Sequence, residues 1–275
     1  MVARPRAFFL PTSVGERFCL YFATTAAMSH GVILYVHPYA EEMNKARRMA
    51  AEQARRFARV GWDVLLLDLH GCGDSEGDSI DSTWATWHED LSCGWHWLEQ
   101  RAPKRKWLWG TRLGALLASD FSQSCSPRAD GLLLWQPVAS GAQHLNQFLR
   151  LRAVRSMLNP GESGADTKTL KQELEAGNGL EIAGYGLSPV LAKVMATQDL
   201  ARMNPRVTHV RWFEVSSIEG ASISPVGLRI AEAWAAVGID TDLAIVHGPA
   251  FWQTQEIESS QALLDVSTAA LEKFR

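Results

Sequence analysis

The segment 107–114 (WLWGTRLG) constrains the fold of this chain more than any other segment. Its apolar start is typical of a buried strand, and Gly110 and Gly114 bracket a turn that leads into a helical pattern. Their spacing is that of a nucleophile elbow, G-x-S-x-G, a sharp strand-to-helix turn that presents a serine at the edge of a sheet. Arg112 stands where the serine is expected. Because a guanidinium stays protonated and offers only donors, the segment predicts the elbow without its nucleophile.

Length and composition predict a globular protein with a sizeable core. The chain has 275 residues, of which 47% are hydrophobic, enough for one large α/β domain or two small ones. A net charge of −3 gives no electrostatic case for nucleic acid or an anionic membrane as the main partner. No apolar run is long enough to span a bilayer or to serve as a signal peptide. The four cysteines form no C-x-x-C pair, which favours reduced thiols in the cytoplasm over disulfides or a metal site.

Short apolar runs alternate with helical patterns along most of the chain. This alternation favours an α/β fold with a mostly parallel central sheet and helices on both faces. The predicted strands are 7–10, 18–23, 31–36, 63–69, 107–109, 131–135, 210–215 and 242–246, the first two as an antiparallel pair. The predicted helices are 43–60, 83–100, 113–121, 225–237 and 256–274. In helix 83–100, tryptophan and leucine recur at helical spacing, which predicts an aromatic stripe packed into the core.

Residues 141–205 depart from this rhythm. Their helical patterns are broken at 159–161 (NPG) and 177–179 (GNG), and no strand-helix-strand unit is evident. We interpret this stretch as a helical cap or lid inserted over the carboxyl edge of the sheet, within a single domain that spans 1–275.

The order of elements resembles the α/β-hydrolase superfamily over essentially the whole chain. Segment 68–77 (DLHGCGDSEG) is similar to the loop after the fourth strand in that superfamily. His37, Pro38 and Tyr39 stand where such proteins carry His-Gly-x and place an oxyanion-hole amide. The resemblance implies an α/β-hydrolase fold with a cap.

Four segments more specifically resemble the exosortase A system-associated hydrolase 2 family. They are 38–49 (PYAEEMNKARRM), 68–75 (DLHGCGDS), 108–118 (LWGTRLGALLA) and 248–252 (GPAFW), in the order of that family. The resemblance implies a protein named a hydrolase by fold membership that accompanies a bacterial exosortase and exopolysaccharide system. It also implies that the arginine at the elbow is a family feature, and it identifies no substrate.

The other positions of a catalytic triad are altered as well. An acid is expected after the penultimate strand, where Glu219 is either that acid or a solvated loop residue. A base is expected after the last strand, but Ala250 stands there; His247, three residues earlier, is either a displaced base or a structural histidine. Cys72 and Ser75 follow the fourth strand near the carboxyl edge and are either alternative nucleophiles or turn residues.

The elbow retains features that attract an anion. The helix that follows it presents unpaired amides and the positive end of its dipole. We therefore expect a pocket in which Arg112 and the amides of Leu113 and Tyr39, beside His37, hold a carboxylate, phosphate or sulfate.

The alternative is an internal ion pair for the elbow arginine. A buried guanidinium needs a partner, and the candidate carboxylates are Glu41, Glu42 and Asp74. Both interpretations stay open at the level of sequence.

Three functions are compatible with these features. The first is a noncatalytic protein that binds an anionic ligand or regulates an exopolysaccharide or envelope system. The second is an ester, thioester or acyl hydrolase with an unconventional nucleophile. The third is a protein-interaction module that uses the cap and a tryptophan-rich surface. We expect no cofactor and no metal, and we expect a small anionic or acyl ligand, with an envelope-system protein as a candidate partner.

Overall fold

The computed structural model describes residues 4–101, 105–158 and 166–274. The main sheet contains β1 (Arg6–Thr12), β2 (Gly15–Phe22), β3 (Gly31–Val36), β4 (Trp62–Leu67), β5 (Arg105–Thr111), β6 (Gly131–Trp135), β9 (His209–Ser216) and β10 (Asp240–His247). The helices are α1 (Glu41–Arg59), α2 (Trp84–Glu99), α3 (Leu113–Ser122), α4 (Gly141–Leu158), α5 (Thr167–Glu175), α6 (Pro189–Thr197), α7 (Pro225–Ala236) and α8 (Gln261–Glu272). None of the described helices has an apolar stretch long enough to cross a bilayer.

The sheet is mostly parallel, as predicted. Its strand order is β1-β2-β4-β3-β5-β6-β9-β10. β1 and β2 form an antiparallel pair, β2 runs antiparallel to β4, and all the remaining neighbours are parallel. The parallel order brings the carboxyl ends of β3 and β5 side by side, so the turns that follow them share one edge of the sheet.

Two apolar cores cover the two faces of the sheet. Alternate residues of β5 enter opposite cores, with Leu108 on the face of α2, α3 and α7, and Trp107 and Trp109 on the face of α1 and α8. All of the eleven tryptophans except Trp97 are buried. The expectation of a tryptophan-rich interaction surface is therefore wrong, because these side chains fill the cores.

The aromatic stripe of α2 is confirmed as core. Trp84, Trp87 and Trp95 are buried on the face that α2 turns towards the sheet. Thr83 caps the helix, since its hydroxyl accepts from the Thr86 amide at 3.0 Å and the Thr86 hydroxyl accepts from the Thr83 amide at 3.0 Å. The helix thus begins where the sequence pattern predicts.

The stretch between β6 and β9 contains α4, α5, a small hairpin and α6. The hairpin strands β7 (Leu180–Ile182) and β8 (Tyr185–Leu187) were not predicted, because three residues are too few to display an alternating pattern. Side-chain hydrogen bonds tie the hairpin to the main body: Asn44 donates to the Tyr185 hydroxyl at 2.8 Å, and the Gly186 amide donates to Ser79 Oγ at 2.8 Å.

The last helix begins later than predicted. α8 starts at Gln261 rather than near residue 256, because Ser260 acts as its N-cap and its hydroxyl accepts from the Leu263 amide at 3.4 Å.

Candidate functional site

Two strained turns stand next to each other at the carboxyl edge of the sheet. Val36 at the end of β3 pairs with Gly110 in β5, and each strand leads through a short turn into a helix. Arg112, the N-cap of α3, has φ 56° and ψ −121°, and Ala40, the N-cap of α1, has φ 52° and ψ −129°. Non-glycine residues rarely adopt positive φ, and such strain concentrates at functional sites. The backbone of the nucleophile elbow is therefore retained around an arginine.

The two glycines of the elbow are required by close packing. A Cβ atom on Gly114 would lie 2.2 Å from the Val36 carbonyl oxygen, and one on Gly110 would lie 2.4 Å from Ala115 Cα. The Arg112 amide also donates to the Trp135 carbonyl oxygen at 3.0 Å. The turn is fixed between β3 and β6, which gives the Arg112 side chain a defined starting point.

The Arg112 side chain pairs with Glu42 of α1. Nε donates to Glu42 Oε1 at 3.1 Å and Oε2 at 3.3 Å, and the two side chains are 15% and 13% exposed. Nη1 lies 3.5 Å from the Gln136 carbonyl oxygen, and the guanidinium carbon lies 5.3 Å from the centre of the Trp252 ring. Burial raises the pKa of Glu42 above its ordinary value, although Arg112 opposes that shift.

The sequence left two interpretations of Arg112 open, an internal ion pair and an anion site, and this arrangement is compatible with both. Glu42 is the internal partner, whereas Glu41 and Asp74 form no ion pair with Arg112 in the described residues. Glu42 occupies Nε, however, and within the described part of the chain the terminal nitrogens Nη1 and Nη2 have only the long hydrogen bond from Nη1 to the Gln136 carbonyl oxygen. An arginine offers five N–H donors, so the outer edge of the guanidinium retains capacity for an anion.

Two open chambers meet at Arg112. The first has a volume of about 630 Å³ and lies between α1, α4, the loop after β9 and Trp252. The second has a volume of about 710 Å³ and lies between α4 and α7. Arg112, His144 and Gln147 belong to the walls of both chambers. These volumes are typical of small-molecule sites.

His144 of α4 is the functional candidate that sequence reasoning missed. It is 6% exposed, and neither ring nitrogen has a hydrogen-bond partner within the described residues. Burial, with a smaller contribution from Arg112, lowers the pKa of His144 to about 3, so its imidazole is neutral at physiological pH. No sequence pattern marks a single histidine in a helical segment as functional. Only the packing of α4 over the sheet brings His144 beside the elbow.

His37 and Leu113 do not line either chamber. His37 is buried, its Nδ1 lies 2.7 Å from the Pro38 carbonyl oxygen, and its Nε2 accepts from the Leu69 amide at 3.2 Å. Burial lowers its pKa. Leu113 is buried as the first residue of α3. The expected pocket therefore contains Arg112 and Tyr39, while His37 joins the ends of β3 and β4 as a structural residue.

Cys72 and Ser75 belong to a different part of the edge. Cys72 lines a separate cavity of about 350 Å³ beneath the β7–β8 hairpin, and burial raises the pKa of its thiol, which disfavours the thiolate. Ser75 Oγ donates to the Asp68 carbonyl oxygen at 2.6 Å and accepts from the Phe18 amide at 2.8 Å. Both residues fit the alternative interpretation as parts of a turn.

The acid and base candidates also lie away from the chambers. Glu219 and His247 are exposed and line neither chamber. The position of the expected base is filled by Ala250, which lines the first chamber together with Trp252. Among the described residues that line the chambers, no serine, threonine or cysteine side chain is hydrogen-bonded to a histidine. The described part of the chain also contains no cluster of three His, Cys, Asp or Glu side chains arranged to hold a metal ion.

Comparison with known proteins identifies the family. The profile of the serine aminopeptidase S33 family matches residues 27–173, more than half of the chain, which therefore belongs to this family of α/β hydrolases. A search of curated proteins found no match.

Solved structures show the same fold. Est1E of Butyrivibrio proteoclasticus with ferulic acid bound aligns with a TM-score of 0.63 at 12% identity, covering 98% of this chain and 97% of that chain. The proline iminopeptidase-related protein of Thermus thermophilus aligns with a TM-score of 0.61 at 16% identity, with the same coverage of 98% and 97%. Mouse alpha/beta hydrolase domain-containing protein 10 gives 0.60 at 14% identity, again covering 98% and 97%. The predicted α/β-hydrolase fold is confirmed.

Proposed function

We propose that this protein is a noncatalytic member of its family that binds a small anionic ligand with an apolar body. The observation that carries the proposal is the position of Arg112: its guanidinium occupies the tip of the elbow, Glu42 engages only Nε, and the outer edge borders two chambers. A fixed cation in a partly buried cleft favours a carboxylate, sulfate or phosphate group.

The walls of the first chamber support an apolar body for this ligand. Tyr39, Phe148, Leu151, Ile218 and Trp252 supply aromatic and aliphatic surface beside the charged groups. Polar and charged side chains share the same wall, which suits a ligand that has an apolar body and polar groups that fix its orientation. Glu41 and Glu42 balance the charges of Lys45 and Arg112 in the same wall, so this wall supplies no surplus positive charge for a dianion.

The chamber walls give no support to an acyl-transfer mechanism. Such a mechanism needs a nucleophile in contact with a base, and the only histidine of the described chamber walls, His144, contacts neither a hydroxyl nor a thiol. An arginine cannot replace the serine, since it offers no lone pair for attack.

Binding should depend on the guanidinium. Hexanoate and hexyl sulfate are suitable probes, with 1-hexanol as the neutral analogue of the same length. We expect both anions to bind more tightly than the alcohol, and Arg112→Met to weaken anion binding by about tenfold to 100-fold, the equivalent of a charge-assisted hydrogen bond. Isothermal titration calorimetry measures both effects. Equal affinity of wild type and variant for hexyl sulfate would refute the anion site.

A panel of 4-nitrophenyl esters and acyl thioesters tests the noncatalytic part of the proposal. We expect no turnover above the buffer rate. Turnover that is abolished by Cys72→Ala or His247→Ala would instead support the hydrolase hypothesis with an unconventional nucleophile.

We propose an exosortase and exopolysaccharide system, acting from the cytoplasm, as the biological setting. The support is the resemblance of segments 38–49, 68–75, 108–118 and 248–252 to the exosortase A system-associated hydrolase 2 family. In this setting the protein would sense or deliver its ligand rather than transform it. Affinity purification from the native host, followed by identification of a protein of that system, tests the proposal, and repeated recovery of unrelated partners alone would contradict it.

A further inference from the structure

The junction of the two chambers places the bound anion between two spaces. Arg112, His144 and Gln147 border both chambers, so a group held by the guanidinium has room on two sides. A carboxylate or an alkyl sulfate is the end of a molecule and extends into one chamber only. The geometry therefore favours a ligand whose charged group lies in its interior.

A disubstituted phosphate has this property. It carries one negative charge on two non-bridging oxygens and two substituents that leave in different directions. Two oxygens suit the two terminal nitrogens of a guanidinium, which pair with oxyanions in a bidentate manner. In Arg112 these are the nitrogens that Glu42 leaves available, since its two oxygens both approach Nε.

The charge of the walls agrees with a monoanion. Glu41, Glu42, Lys45 and Arg112 line the first chamber, and Asp199, Arg112 and Arg229 line the second. These three carboxylates balance the three cations, so the walls supply no surplus positive charge for a dianionic phosphate monoester, whereas the guanidinium of Arg112 matches the single charge of a diester.

His144 supplies a second reason to expect a polar group at the junction. Its ring is 6% exposed, borders both chambers and has no hydrogen-bond partner within the described residues. A buried polar group without a partner is destabilising. A neutral imidazole can donate one hydrogen bond and accept another, which matches an ester oxygen or a hydroxyl beside the phosphate.

Apolar side chains in the walls of both chambers indicate what the two substituents are. Leu151 and Ile218 of the first chamber are 43% and 71% exposed, and Val226 of the second is 39% exposed. Exposed apolar side chains in the wall of a cleft offer contact surface to apolar groups of a ligand. The exposed Ala233 also lines the second chamber, with the buried Ile230 behind it.

From these observations we propose that the ligand is a phosphodiester with two apolar arms, its phosphate on Arg112 and one arm in each chamber. The inference rests on the proposed function, because it specifies the ligand of the same site. It also states that the two chambers act as one binding site.

Dihexyl phosphate and methyl hexyl phosphate test the inference, because they share one charge and one arm and differ only in the second arm. We expect dihexyl phosphate to bind at least tenfold more tightly in isothermal titration calorimetry, at concentrations below its aggregation limit. Thymidylyl-thymidine, a diester with polar arms, should bind more weakly than dihexyl phosphate. Tighter binding of the dinucleotide would refute the apolar arms and assign a nucleotide source.

Variants that fill one chamber locate the arms. Ala233→Phe places a ring in the second chamber and Ser217→Phe places one in the first. Each should weaken dihexyl phosphate at least fivefold, whereas only one of them should affect methyl hexyl phosphate. Ala235→Phe is the matched control on α7, since Ala235 is exposed and lines neither chamber. Thermal unfolding verifies that each variant is folded.

The outcomes separate this inference from the proposed function. If Arg112→Met abolishes binding of both diesters but the second arm adds no affinity, the anion site stands and the two-chamber inference is refuted. If Ala233→Phe leaves dihexyl phosphate binding unchanged, the second chamber is likewise excluded. If neither diester nor hexyl sulfate depends on Arg112, the proposed function itself fails.

Discussion

At the scale of single residues, the pair between Arg112 and Glu42 bears directly on the anion binding that we propose for the elbow. Glu42 neutralises part of the guanidinium charge and holds it in place through Nε. Without this carboxylate the arginine would be a stronger attractor of anions but a less well-positioned one. We therefore expect substitution of this carboxylate to move the affinity for an anion and the stability of the fold in opposite directions.

Glu42→Gln should tighten anion binding while it destabilises the fold. Removal of one negative charge near the guanidinium is worth on the order of 1 kcal/mol for a monoanion at an effective protein dielectric. Loss of the ion pair should lower the free energy of unfolding by about 2 kcal/mol, less than for a fully buried pair because both side chains keep some exposure. Titration with hexyl sulfate and urea denaturation measure the two effects. A variant that binds hexyl sulfate more weakly than wild type would contradict this account and indicate that positioning outweighs charge.

At the scale of secondary-structure elements, the contact of α3 with β3 fixes the elbow. A Cβ atom on Gly114 would meet the Val36 and His37 carbonyl oxygens at 2.2 Å and 2.3 Å, and both are backbone atoms that cannot move alone. Glycine at this position thus allows the start of a helix to touch the end of a strand. That contact sets the distance between Arg112 and Glu42, which stand at the starts of α3 and α1.

Gly114→Ala should destabilise the protein by about 1–3 kcal/mol through overpacking, and it should weaken anion binding because α3 moves away from β3. Gly94→Ala is the matched control in α2. A Cβ atom there would first meet Leu67 Cδ2 at 3.2 Å, and replacement of a helical glycine gains up to about 1 kcal/mol. The melting temperatures of the two variants should therefore differ clearly. Equal melting temperatures would show that the elbow glycine is not under steric constraint.

At the scale of the whole molecule, buried neutral histidines make stability depend on pH. His37 and His144 are both buried, and burial lowers the pKa of each. For His144 the pKa falls from an ordinary 6.5 to about 3. Between these values the unfolded chain binds a proton that the folded chain does not. The stabilisation is complete above pH 6.5 and decreases as the pH falls towards 3.

His144→Phe should reduce this acid sensitivity. The histidine alone accounts for a loss of about 1.3 kcal/mol in the free energy of unfolding at about pH 5.5 relative to neutral pH. Urea denaturation at a series of pH values should show a shallower decline for the variant than for wild type. His96→Gln, an exposed change on α2, should keep the wild-type profile. Parallel profiles for wild type and His144→Phe would show that His144 is protonated in the folded state.

The sequence predicted the fold closely because the strands are buried and the helices are amphipathic. Segments 31–36 and 131–135 coincide with β3 and β6, since continuous apolar runs between turn residues have few alternative interpretations. The strands β7 and β8 were missed because three residues are too few to display a recognisable strand pattern. The start of α8 was misplaced because the Ser260 cap competes with several polar residues before it.

The candidate site was predictable only in part. Arg112 was found because the elbow is a local motif, and its partner Glu42 remained one of three candidates, because the choice depends on how α1 and α3 are placed. His144 and Gln147 belong to α4, whose position over the sheet is a tertiary property. Glu219 and His247, named by analogy with a triad, lie outside the chambers, and Arg112 and Ala250 stand at the positions where the analogy expects a serine and a histidine.

The filled position after β10 limits what a serine at the elbow could do. Arg112→Ser would supply a hydroxyl at the tip, but Ala250 offers no proton acceptor and the Trp252 ring occupies the adjoining wall. The same change would strand Glu42 as a desolvated carboxylate without its cation. A serine at this tip would therefore need two further changes, a proton acceptor in place of Ala250 and a new partner for Glu42.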